Sequence, residues 1–250
     1  MTRMIGFGLG GAMIALGLTM ATPAPAAPAK PAPAKPAPAK PGASTPRPGK
    51  WLTVSAMTPA GTHVLGNPQA PVKLAEFMSY TCPHCAHFEA EGATALKLNY
   101  IPTGRVSYEV RHLLRDPVDL TVALLVHCAP PAKFFDAHNR FLASQDKWLE
   151  AIRLLSKAQM SRWENGETAQ RLRAIASDLK FYDTIARYGV TRAGADRCLA
   201  DNALQQKLIA QTKQAIALNI TGTPGFLING QVAANVYDWG TLEPLLKAQD

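Results

Sequence analysis

Short stretches of alternating apolar and polar residues lie at the two ends of the folded part of this chain, and roughly 100 residues of helical periodicity lie between them. Val72-Lys73-Leu74-Ala75-Glu76-Phe77 reads as a strand with partial alternation. Before it, Trp51 to Leu65 suggests a leading strand with a turn at Pro59-Ala60-Gly61, and Gly66-Asn67-Pro68 is a second turn. After it, Cys85, Phe88, Gly92, Ala95 and Leu96 fall at helical spacing and predict a helix over 83–98. Val106 to Val110 predicts the next strand. From Pro117 to about Asn219, segments 118–129, 131–143, 149–159, 167–176, 179–188 and 192–200 each carry an apolar stripe. Breaks are expected at Pro130-Pro131, Asn165-Gly166 and Gly189, and a longer helix over 202–219 closes the run. Strand chemistry resumes at 224–228. Asn229-Gly230 is a strong hairpin signal, with Gln231-Val232-Ala233 returning and Asp238 capping a terminal helix through Leu246. The order predicts an α/β fold: a small mixed sheet with a helical insertion at about 117–219.

Composition divides the chain more sharply than periodicity does. Six of the 26 basic residues (Arg3, Lys30, Lys35, Lys40, Arg47, Lys50) fall in the first 50 positions, which contain no acidic residue. The remainder carries 20 basic against 18 acidic side chains, so the overall +8 is a property of the N-terminal segment. A basic nucleic-acid-binding domain would concentrate charge in its folded part, and nucleic acid is not an expected partner. Residues 1–26 read as an export signal: Arg3 in a short positive start, an uncharged apolar stretch from Met4 to Met20, and small residues at Ala24-Pro25-Ala26 for cleavage. An uncleaved membrane anchor is the alternative. Either way the body is expected outside the cytoplasm, in a periplasmic location. Residues 27–50 form a Pro/Ala/Lys linker in which helix and sheet cannot propagate. In polyproline geometry it would reach roughly 70 Å. Residues 51–250 are long enough for one domain with a good core.

The chemistry concentrates at Cys82-Pro83-His84-Cys85. The pair follows a strand and opens a helix. A helix N-terminus presents unpaired N–H groups and the positive end of the macrodipole, which favour a thiolate at the first cysteine. Cys85, one turn further in, can resolve a mixed disulfide by attacking the first sulfur. Pro83 suits the first helical turn. His84 can donate to the thiolate or, when protonated, place a positive charge beside it. A stabilised thiolate favours the reduced dithiol and makes the disulfide a stronger oxidant. A c-type haem site needs His directly after the second cysteine, and position 86 is Ala. A zinc site could draw on Cys82, Cys85, His84 and His87, but ligands crowded on one helical turn make poor tetrahedra. A purely structural Cys82–Cys85 disulfide is the remaining alternative.

Glu76-Phe77-Met78-Ser79-Tyr80-Thr81-Cys82-Pro83-His84-Cys85, with Thr223-Pro224 far downstream and a helical block between, resembles the DsbA-like family of thioredoxin-fold oxidoreductases. The resemblance covers about residues 51–250 and implies a thioredoxin-like fold with a helical insertion. It implies that Cys82 is the attacking and attacked sulfur, that Cys85 resolves and that His84 tunes the thiolate. Pro224 would be cis beside the cysteines, and the Thr223 backbone would pair with an extended substrate peptide. Glu76 would be partly buried and move protons to or from Cys85. Thr before the proline is more typical of isomerase and reductase relatives, though some oxidase relatives share it.

Cys128 and Cys198 stand near helix ends at opposite ends of the insertion. An intramolecular disulfide there would close a loop of about 70 residues, worth around 4 kcal/mol on the chain-entropy model. Two free thiols or a second redox pair are the alternatives. His63, His112, His127 and His138 are read as satisfied structural histidines, and Phe134, Phe135 and Phe141 as core. The expected function is donation of the Cys82–Cys85 disulfide to exported proteins by a monomer, with no cofactor, no metal, and a membrane redox partner to reoxidise the pair. A reductase or isomerase kept reduced by a membrane donor, and a tethered chaperone, are the rival readings.

Overall fold

The computed structural model describes residues 49–249. The export signal and nearly all of the Pro/Ala/Lys linker lie outside them. Among the described residues no helix is long and apolar enough to cross a membrane.

Six strands form one mixed sheet: β1 (Ser55–Met57), β2 (His63–Gly66), β3 (Val72–Met78), β4 (Val106–His112), β5 (Gly225–Ile228) and β6 (Gln231–Val232), in the order β1-β2-β4-β3-β5-β6. β3 and β4 run parallel and every other pairing is antiparallel. Parallel neighbours require a crossover, which α1 (Pro83–Phe88) begins. The helix then widens into π-turns over Glu89–Ala93 and Leu96–Tyr100, in place of the uniform helix the spacing predicts. Gly92 allows it: a Cβ there would lie 2.3 Å from the Phe88 ring.

The leading segment begins with a 3-10 turn (Lys50–Thr53), and the expected turn at 59–61 separates β1 from β2, so the strand there is a pair. At the other end Asn229 (φ 51°) and Gly230 (φ 81°) both adopt the left-handed backbone that a tight hairpin needs. Asp238 caps α10 (Trp239–Lys247) by accepting from Thr241 N–H.

Side-chain alternation on β3 decides which residues meet the active helix. Leu74 and Met78 join the large core with Phe88, Leu96 and Tyr108. Ala75 and Phe77 point to the other face and pack with Ala215, Ile220 and Leu227. The even positions of β3, Glu76 among them, therefore lie on the α1 side.

Between β4 and β5 run α2 (Pro117–Cys128), α3 (Phe134–Ala143), α4 (Gln145–Arg153), α5 (Lys157–Glu164), α6 (Thr168–Asp178), α7 (Phe181–Ala186), α8 (Arg192–Cys198) and α9 (Asn202–Ala217). The apolar stripe expected over 149–159 is interrupted: α4 ends at Arg153, and Ser156 starts α5 with a capping box to Gln159. Residues 131–133 form a 3-10 turn before α3. Phe134, Phe135 and Phe141 are core as expected, each contributing about 1.5–3 kcal/mol through burial.

Two of the four histidines fit their expected role and two do not. His127 sits between the carbonyls of Ala123 (2.8 Å) and Gly61 (2.9 Å), and His138 bonds Tyr80 (2.9 Å). His63 and His112 are buried, yet among the described residues their ring nitrogens have no hydrogen-bond partner. Burial holds His63 down to about 3 and His112 well below the usual imidazole range, so both stay neutral. His63 stacks on Phe134 at 3.6 Å and behaves as an apolar ring.

Candidate active site

β3 ends at Met78, and the chain turns through Ser79–Thr81 into α1, with Cys82 in the N-cap position and Pro83 first inside the helix. Both Cys82 and Cys85 are free thiols. The loop before β5, the strand that pairs with β3, brings up Thr223, joined to Pro224 by a cis peptide. In its protonated form the Cys82 thiol donates to the Thr223 carbonyl at 3.1 Å. Residues separated by 141 positions thus meet at one sulfur.

The two thiols are pulled in opposite directions. A hydrogen bond from the Cys85 thiol, the Thr223 side chain and the backbone N–H groups of Cys85 and His84 outweigh burial and bring Cys82 down to about 4. Burial, the bond it gives to Cys82, and the negative charges of Glu76 and Cys82 push Cys85 well above a free thiol. Near neutral pH the reduced pair is one thiolate and one thiol. His84 contributes here through its backbone N–H, where the sequence suggests its imidazole. Its side chain is exposed and lines a cleft of about 240 Å³ with Cys82, Leu113, Arg115 and Thr223.

Glu76 is 2 % exposed and faces Cys85 from beneath the helix. Burial pushes its carboxyl up to about 8, against a hydrogen bond from the Tyr108 hydroxyl on β4 and with the added repulsion of Glu89 and Cys82. It can therefore carry or accept a proton at neutral pH, which is what a group serving Cys85 requires.

Two further residues were not legible as site members. Tyr108 reads as a core strand residue, and only its register opposite Leu74 places its hydroxyl at Glu76. Glu89 reads as a surface or paired charge. It is buried and paired, to Lys97 at 2.7 Å and His138 at 3.4 Å. Burial opposes its charge, but the His138 and Lys97 contacts prevail and hold it below the usual carboxylate range. Cys128 and Cys198 lie apart from this site and are joined by a disulfide of 2.04 Å. Among the described residues no group of three or more His, Cys, Asp or Glu is placed to hold a metal ion.

A family model described as thioredoxin matches residues 58–248. The chain belongs to the thioredoxin family. Within it the arrangement is DsbA-like, a thioredoxin fold carrying a helical insertion. This thioredoxin-family chain superposes on a protein-disulfide isomerase of Novosphingobium aromaticivorans with a TM-score of 0.71 and 47% identity, covering 76% of this chain and 97% of that one. It also superposes on alpha-DsbA1 of Wolbachia pipientis with a TM-score of 0.59 over 74% and 89% of the two chains, where 24% identity speaks to the fold alone. A provisionally named protein-disulfide oxidoreductase of Rickettsia typhi is 30% identical over 174 residues, 69% of this chain and 56% of the relative. The chain spans a little over half the length of the curated relatives it matches first.

Proposed function

We propose that this protein is an exported thiol–disulfide oxidoreductase that donates the Cys82–Cys85 disulfide to other exported proteins. The opposed ionisation of the two cysteines carries the reading: a Cys82 thiolate held to about 4 stabilises the reduced pair and so makes the disulfide a strong oxidant. A substrate thiolate attacks Cys82 Sγ, the S–S bond breaks, and the electron pair leaves on Cys85 Sγ, which takes a proton that the buried Glu76 carboxyl can supply. A second substrate thiolate then attacks the substrate sulfur of the mixed disulfide and expels Cys82 as the stabilised thiolate. The substrate has lost two electrons and the pair has gained them. A membrane redox partner must withdraw them before the next cycle. The Thr223 backbone would align an extended substrate peptide across Cys82, and the chain would act as a monomer in the periplasm, carried there by the signal in residues 1–26.

The reductase or isomerase reading rests on Thr223 before the cis proline and on the likeness to the Novosphingobium protein-disulfide isomerase. The equilibrium reduction potential of the pair in a glutathione buffer separates the two. The donor reading expects a value far above the about −270 mV of thioredoxin. A value at or below it would replace that reading with one in which the pair works reduced.

A further inference from the structure

The turn that carries Cys82 is held by the helical insertion. Asp119, fully buried in the first turn of α2, accepts from Tyr80 N–H at 2.8 Å through one oxygen. Its other oxygen accepts from the Ser79 hydroxyl at 2.6 Å and from Arg115 N–H at 3.0 Å. Gln145, the first residue of α4 and also buried, donates from its side-chain nitrogen to the carbonyl of Tyr80 at 2.7 Å and to that of Cys82 at 2.9 Å. Other backbone groups of the turn are met locally or at the rim. Cys82 N–H donates to Ser79 O, Thr81 N–H to Ser79 Oγ, and Thr81 O accepts from Arg115. Thr81 Oγ1 donates to the α2 N-cap, Asp116, at 2.6 Å.

The residue types fit the task. Three donors converge on Asp119, and a carboxylate offers two acceptor oxygens where an amide offers one. Two carbonyls converge on one nitrogen of Gln145, which carries two hydrogens. The two helices thus grip Tyr80 by its N–H and its carbonyl, and Cys82 by the carbonyl that also accepts from Cys85 and Ala86 to start α1. Where that carbonyl sits decides where the Cys82 sulfur stands relative to the helix N–H groups and Thr223.

We infer that Asp119 and Gln145 are positioning residues of the exchange reaction, through which the insertion fixes the Cys82 sulfur at the N-terminus of α1. The inference rests on Cys82 being the reactive sulfur. It separates from two simpler roles by sign. A pure anchor between insertion and sheet would lower stability without touching thiolate ionisation. Burial raises the Asp119 carboxyl to about 7, so it carries little charge where Cys82 titrates. Any charge it does carry would repel the thiolate, so an effect through charge could only lower the Cys82 pKa in Asp119→Asn. Positioning predicts a rise, because a displaced sulfur loses its donors.

The test is a titration of thiolate absorbance on the reduced full chain, for wild type, Asp119→Asn and Gln145→Met, with the oxidised forms as blanks and melting curves alongside. Both variants are expected to raise the Cys82 pKa by about one unit and to shift the glutathione equilibrium about tenfold towards the disulfide. Gln145→Met keeps volume and changes no charge, so it serves if Asp119→Asn does not fold. An unchanged pKa with a lowered melting temperature reduces the pair to an anchor and overturns the inference, as does a fall in Asp119→Asn. A wild type with no thiolate below neutral pH would instead remove the reading of Cys82 on which it stands, and the inference with it.

Discussion

The chain contains two cysteine pairs, and their positions on helices are opposite. Cys82 stands at the N-cap of α1, whereas Cys128 and Cys198 are the last residues of α2 and α8. At the N-terminus unpaired N–H groups and the macrodipole favour a thiolate; at a C-terminus unpaired carbonyls disfavour one. The first pair therefore has a good nucleophile and a good leaving group, and the second has neither. Separation in sequence adds to the contrast. Cys82 and Cys85 close almost no loop, while Cys128–Cys198 spans 70 positions and constrains the unfolded insertion. The same bond is thus poised for exchange at one place and serves as a clasp at the other.

The largest effect expected from breaking this contrast is on rate. Cys82→Ser should reduce catalysed disulfide exchange to background, a loss of about a hundredfold or more, because only the thiolate is nucleophilic. Substantial activity in Cys82→Ser would mean that Cys128–Cys198 exchanges too, or that the protein acts by holding chains and not by redox chemistry. Next comes stability. Replacing Cys128 and Cys198 together by Ala should lower unfolding stability by around 4 kcal/mol in denaturant titration, with the Cys82 ionisation unmoved. A shift of the Cys82 pKa in that variant would show that clasp and centre are coupled through the insertion.

That coupling marks where the sequence stopped being informative. Cys82–Cys85, the Asn229-Gly230 hairpin and the helical block are legible because each is a local pattern with its own turn or helix chemistry, whereas the cis Thr223-Pro224 beside the cysteines followed only from the family resemblance. Asp119 is not, because Asp116-Pro117-Val118-Asp119 reads as a helix start and nothing local says that the second carboxylate turns inward to Tyr80. Gln145 lies 63 positions from the carbonyl it holds. Tyr108 needs the parallel register of β3 and β4 before its hydroxyl has a partner. His63 and His112 failed in the opposite direction: polar side chains expected to be satisfied are buried beside aromatic rings without hydrogen bonds among the described residues. In each case the deciding contact is between elements, and strand register or helix docking creates it.

The finest distinction between the pairs lies in how reduction takes up protons. With Cys82 at about 4 and Cys85 well above the usual thiol range, two electrons entering the Cys82–Cys85 disulfide bring one proton between about pH 5 and 7. Its potential should then fall by about 30 mV per pH unit, half the about 59 mV expected when both products are thiols. Glu76 adds a curvature. The Cys82 thiolate raises the Glu76 pKa, so the carboxyl binds protons more tightly in the reduced form, and near its value of about 8 reduction draws in a further fraction of a proton. The slope should steepen towards pH 8 in the wild type and stay near about 30 mV in Glu76→Gln. A slope of about 59 mV across the whole range would mean that Cys82 is held as a thiol, and the difference between the two cysteine pairs would then be one of loop length alone.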